Sequence, residues 1–164
     1  MKKIIFLLLM VSIVACNTKT ENEKKLQSRI DSLEIKLNNS YKPGLGEFMS
    51  SIQIHHAKLW FAGQNKNWDL ADFEIKEIKE ALDNINKYCT DRPEIKALGM
   101  IDEPVDSISK AIQDKDFAAF KNNFVVLTNT CTNCHRETNH GFNVLKIPDN
   151  PPFSDQDFKL PAKN

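Results

Sequence analysis

Apolar residues in this chain return mostly at three- and four-residue intervals, the spacing of one face of an α-helix. Over residues 45–62, Leu45, Phe48, Ile52, Leu59 and Ala62 share such a stripe, which Gly63 and the polar run Gln64-Asn65-Lys66-Asn67 end. A second helix is expected over residues 69–88. Leu70, Phe73, Ile78, Leu82 and Ile85 should face inward there, with Glu74, Lys76, Glu77, Lys79 and Glu80 toward water. Asp91-Arg92-Pro93 closes that region, and Pro104 precedes a third helix over residues 105–113 that carries Ile108 and Ile112. A fourth opens near Asp116 and takes Phe117, Phe120, Phe124 and Leu127 toward Cys131. Beyond Gly141 the prolines at 148, 151, 152 and 161 predict an extended tail lying over the helices.

Upstream, Leu26, Ile30, Leu33 and Leu37 are spaced by four, three and four residues, a short heptad stripe. Such a stalk either pairs with another copy, packs on its own domain or frays. Pro43-Gly44 interrupts the pattern and marks the start of the main domain. With only five glycines and little β-branched alternation, the chain is expected to be all-α: an antiparallel four-helix bundle with an N-terminal helical stalk and an extended C-terminal tail.

Charge narrows the partners. The 22 basic residues balance the 22 acidic ones, so no basic field points to nucleic acid. The first residues change the picture more. Lys2 and Lys3 precede an apolar run over residues 4–14, which is too short to span a bilayer and reads as a signal peptide. Ile13-Val14-Ala15-Cys16 looks like a lipobox, in which cleavage leaves Cys16 as a lipidated first residue. Residues 1–15 are thus expected to be removed. Residues 16–42 would form the lipid-anchored tether and stalk, residues 43–140 the domain and residues 141–164 the tail. The localisation implied is export and lipid anchoring to a bacterial membrane, on its periplasmic or cell-surface face.

Four cysteines are too few for a disulfide-stapled scaffold. Cys89 reads as a buried thiol near a helix end, with no chemistry assigned. Cys131-Thr132-Asn133-Cys134-His135 is different. Thiols three positions apart share one side of a helical turn, where each can add to a haem vinyl group, and the next residue offers an imidazole to the iron. Two other uses compete: a Zn²⁺ site, for which no second ligand pair is evident, and a disulfide between Cys131 and Cys134.

A C-x-x-C-H motif late in the last helix resembles the class II cytochromes c, which comprise cytochrome c-prime and its low-spin, methionine-ligated relatives. The resemblance extends to Phe48-Met49-Ser50-Ser51-Ile52-Gln53-Ile54-His55, similar to the family's first helix, and to Gly63 and Trp68-Asp69-Leu70-Ala71, similar to its turn into the second. It covers residues 45–135. The stalk, the adjacent histidines and the proline-bearing tail depart from the family pattern. The resemblance implies one covalent haem c per chain, thioether links at Cys131 and Cys134, His135 as proximal ligand and Met49 at the distal position.

His55 and His56 flank the same stripe and are alternative distal ligands, or partners for a haem propionate. His140 is expected near the haem rim, and Lys58 and Arg136 are candidate propionate partners. Trp60, Phe61, Phe120 and Phe124 suit either the pocket wall or the core. No nucleophile–base arrangement is visible, so the expected role is non-enzymatic: a membrane-anchored mono-haem cytochrome passing single electrons between redox partner proteins. The alternatives are a five-coordinate haem protein that binds or senses a diatomic gas such as nitric oxide, and an accessory lipoprotein of a larger redox complex.

Overall fold

The computed structural model describes residues 20–38, 40 and 43–160, and every regular element in them is helical, so the fold is all-α. The expected signal peptide, Cys16 and Pro161 lie outside the described residues. No helix among those described is long and apolar enough to cross a membrane. Contacts divide the chain between Lys42 and Pro43.

The described residues of the N-terminal unit form one helix, α1 (Glu21–Asn38). Thr20 and Glu23 start it with reciprocal bonds: the Thr20 amide donates to the Glu23 carboxylate (2.8 Å), and the Glu23 amide to Thr20 Oγ1 (3.3 Å). Together they satisfy two amides that a helix start leaves unpaired. None of its residues is buried.

The second unit contains α2 (Leu45–Gln64), α3 (Trp68–Tyr88), a 3₁₀ helix (Pro93–Ile101), α4 (Asp102–Gln113) and α5 (Phe117–Glu137). Helix α2 packs on α3, α3 on α4, α4 on α5, and α5 back on α2, while the 3₁₀ helix rests mainly on α5. Two reversals repeat one solution. In Asn65-Lys66-Asn67 and Asp114-Lys115-Asp116 the lysine takes a left-handed φ of 53°. The amides of Asn67 and Asp116 then reach back to the carbonyls of Ala62 and Ala111, both at 2.9 Å. Each of these residues also caps the next helix: Asn67 accepts from the Leu70 amide (3.3 Å) and Asp116 from the Ala119 amide (3.0 Å). Short capped turns of this kind set the following helix back against its predecessor.

Helix α3 differs from its expected register. Phe73 is 52% exposed, whereas Glu74 is 1% exposed. The buried set is Ala71, Glu74, Ile75, Ile78, Ala81, Leu82 and Ile85, spaced by three and four, and Phe73 lies one 100° step off that stripe. A carboxylate therefore occupies a core position, where it has a polar partner described below.

Gly63 is buried where α2 meets α5, and a Cβ added there would come within 2.1 Å of the Phe120 ring. Because Phe120 is itself fully buried, the ring has no open space to move into. Gly63→Ala is expected to lower stability by about 1–3 kcal/mol, measurable as a shift in the urea midpoint at unchanged slope.

The described residues of the tail have no regular structure but are pinned at two places. Thr132 Oγ1 donates to the Leu145 carbonyl (3.3 Å) and accepts from the Leu145 amide (3.1 Å). Farther on, Phe158 is buried beside Phe61, and the Asn67 amide group donates to its carbonyl (3.3 Å). Segments without internal backbone pairing need such outside partners to stay in place.

Candidate functional site: a cysteine–histidine cavity

Residues 131, 134 and 135 lie on the last full turns of α5, and their spacing by three and four places them on one helix face. All three line a cavity of about 310 Å³, within the roughly 300–1,000 Å³ usual for cofactor and small-molecule sites. Helix α2 contributes Leu45, Met49 and Ile52, α3 contributes Leu82, and the 3₁₀ helix contributes Leu98 and Ile101. Arg92 and Glu94 add charge, and the tail adds His140, Asn143 and Leu145. The structure thus brings Met49 to the cavity that holds the C-x-x-C-H residues.

Cys131 is buried, Cys134 half-buried, and both are free thiols. Burial, with Cys134 adding to it, pushes the Cys131 thiol up to about 12; burial also raises Cys134. Both sulfurs are therefore protonated at neutral pH. Among the described residues, no group of three or more His, Cys, Asp or Glu side chains is arranged as a metal site.

His135 is oriented by the tail. Its Nδ1 lies 2.7 Å from the Asn143 carbonyl, and a carbonyl can only accept, so Nδ1 carries the proton. The lone pair is then on Nε2, the tautomer a metal-binding imidazole needs. His140 is held likewise, with Nδ1 donating to the Thr138 carbonyl at 2.7 Å. Arg92 donates to Glu94 through Nε (3.3 Å) and Nη2 (2.8 Å), and this pairing holds the Glu94 carboxyl below the usual range.

The structure does not bring His55 or His56 to this cavity. His55 Nδ1 is 2.6 Å from Glu74 Oε2, facing α3. His56 is buried, stacked 4.5 Å from Phe124, with Nε2 at 2.8 Å from Thr128 Oγ1. Thr128 spends its own proton on the Phe124 carbonyl (2.8 Å), so His56 Nε2 must donate to it. Trp60, Phe61, Phe120 and Phe124 also lie off the cavity; Trp60, Phe120 and Phe124 stack together, and Phe61 meets Phe158. Lys58 sits over Phe153 and Arg136 bonds Asn133, and neither lines the cavity. Cys89 is buried at the end of α3, away from the cavity, where burial raises its thiol.

Burial lowers His56 to about 4. An unfolded histidine titrates near 6.5, so between these values the unfolded chain takes up the proton that the native state refuses. This contribution to stability is complete above pH 6.5 and declines as pH falls toward 4. Between pH 7.5 and pH 5 it amounts to about 2 kcal/mol. Urea unfolding at the two pH values should show that loss in the wild type and a smaller one in His56→Gln.

Arg92, Glu94, Asn143 and Leu145 were not singled out from the sequence. The pair flanking Pro93 could have been suspected from its opposite charges, but nothing periodic marks Asn143 or Leu145. No protein-family model matches the chain, and neither a curated protein nor a solved structure matches it.

Proposed function

We propose that this protein is a membrane-anchored mono-haem c-type cytochrome that passes single electrons between redox partner proteins, built as an antiparallel four-helix bundle of the class II cytochrome c kind. The observation that carries the reading is the convergence of Cys131, Cys134, His135 and Met49 on one largely apolar cavity. Cys131 and Cys134 would hold the haem through thioether bonds, formed by addition of each S–H across a vinyl group. His135 would bind iron through Nε2, kept in that tautomer by the Asn143 carbonyl. Met49 would supply the sixth ligand, a thioether that raises the reduction potential. When bound, haem supplies a one-electron iron couple. The aliphatic wall of Leu45, Ile52, Leu82 and Leu98 would exclude water from it, and Arg92 offers positive charge for a propionate.

The lipobox-like Ile13-Val14-Ala15-Cys16 supports export and lipid anchoring through Cys16. Export matters to the chemistry, since covalent haem attachment and the absence of a cytosolic thiol pool go together.

The test is haem retention in a denaturing gel. Wild-type protein should keep peroxidase-active haem on the polypeptide and show a low-spin spectrum. Cys131→Ala with Cys134→Ala should lose all of it. A wild-type chain that releases its haem under denaturation removes the proposal, and a high-spin wild-type spectrum moves it to the gas-binding alternative.

A further inference from the structure

The N-terminal helix carries an exposed apolar stripe. Leu26, Ile30, Leu33 and Leu37 are 60%, 40%, 61% and 66% exposed, and an isolated helix of this length is marginal in water. The Thr20–Glu23 pair favours a helix start locally but covers none of the stripe. We propose that α1 pairs with α1 of a second copy as a parallel, in-register two-stranded coiled coil.

Charge selects that occupant and that direction. With Ile30 and Leu37 at a positions and Leu26 and Leu33 at d, Arg29 falls at g and Glu34 at the following e. A parallel pair sets each g against the partner's next e, joining Arg29 to Glu34 on both sides of the seam. An antiparallel pair sets g against g and brings Arg29 toward Lys36, two like charges. A lipid surface fits less well. The helix holds Lys24, Lys25, Arg29 and Lys36 against Glu21, Glu23, Asp31 and Glu34, whereas surface-lying helices carry a basic polar face. Ile35 alone lies off the stripe, at an f position, and takes no part in the seam.

Two heptads make a weak dimer at low concentration. Tethering both copies in one leaflet would raise their effective concentration, and that contribution alone rests on the lipid anchor read above. The pairing itself requires neither lipid nor haem.

Cysteine cross-linking of the full chain in its own membrane decides the matter. Leu26→Cys places two thiols at a d position, within disulfide reach in the parallel register, while Ser28→Cys lies at f on the far side. Under a mild oxidant Leu26→Cys should yield roughly five-fold more disulfide dimer than Ser28→Cys. Arg29→Glu alone and Glu34→Arg alone should each reduce it, and the combined charge swap should restore it. Equal cross-linking at the two positions overturns the proposal, as does a charge swap that fails to restore. Preferential linkage between Leu26→Cys and Leu37→Cys chains establishes the antiparallel arrangement and overturns it too. Membrane fractionation reports on the anchor separately. If the chain is recovered soluble, the tether reading fails, and the same comparison on concentrated soluble protein still decides the pairing.

Discussion

If the proposed haem is bound with Met49 as its ligand, Met49→Ala should abolish the low-spin spectrum of the reduced protein and lower the reduction potential on the order of 0.1–0.3 V, within the roughly 0.8 V range that axial ligation spans. Met49 is half-buried on α2, packed against the core, and lines the cavity shared by Cys131, Cys134 and His135. The thioether is a soft, neutral ligand that favours reduced iron, and alanine leaves that position to water or to nothing. Because a methionine there also fills space, stability should fall by about 2–4 kcal/mol or less, given its partial exposure. Met49→Leu separates the two roles. Leucine keeps most of the packing volume but cannot ligate, so it should reproduce the spectral change with little loss of stability. If both variants keep the wild-type spectrum, the sixth ligand lies elsewhere. His140 is then the next residue to replace, since it lines the same cavity with Nε2 free of the bond that holds Nδ1.

What could be read from the chain follows from how each feature is encoded. The all-α class and the placement of Cys131, Cys134 and His135 on one helix face depend on local spacing, which a sequence displays directly. The core of α4 is equally local: Val105, Ile108 and Ile112 are buried as their intervals require. The register of α3 was misread because Phe73 is apolar and Glu74 charged. The residue that decided the matter, His55, is nineteen positions away on another helix. The 3₁₀ helix (Pro93–Ile101) leaves no signal in the spacing, since it lacks a 3.6-residue period. The tail's part in the cavity was hidden for a different reason. The Asn143 carbonyl that orients His135 is a backbone group, and any residue at position 143 would carry one. Contacts made by backbone atoms at long range leave no trace in composition or periodicity.

His55→Leu should lower stability by about 3–5 kcal/mol, because it strands a buried carboxylate without its partner. Glu74 is 1% exposed, and its Oε2 lies 2.6 Å from His55 Nδ1. Among the described residues, Glu77 also lies near the imidazole, with Oε2 at 4.0 Å from Nε2, and a second carboxylate can offer Glu74 no compensation. Removing both members is a different matter. His55→Leu with Glu74→Leu replaces a desolvated polar pair by aliphatic groups on the α2–α3 contact, and stability should return to within about 1–2 kcal/mol of wild type. Urea unfolding of the two single variants and the double variant at pH 7.5 gives the coupling, and near-additive losses would contradict this account. The same proteins address the proposed haem independently. With His55 bound to Glu74 and off the cavity, the visible spectrum should survive every step of the cycle. Loss of the low-spin bands in the double variant, with the fold intact, would instead make His55 an iron ligand. One set of variants thus separates a histidine that holds two helices together from one that binds iron.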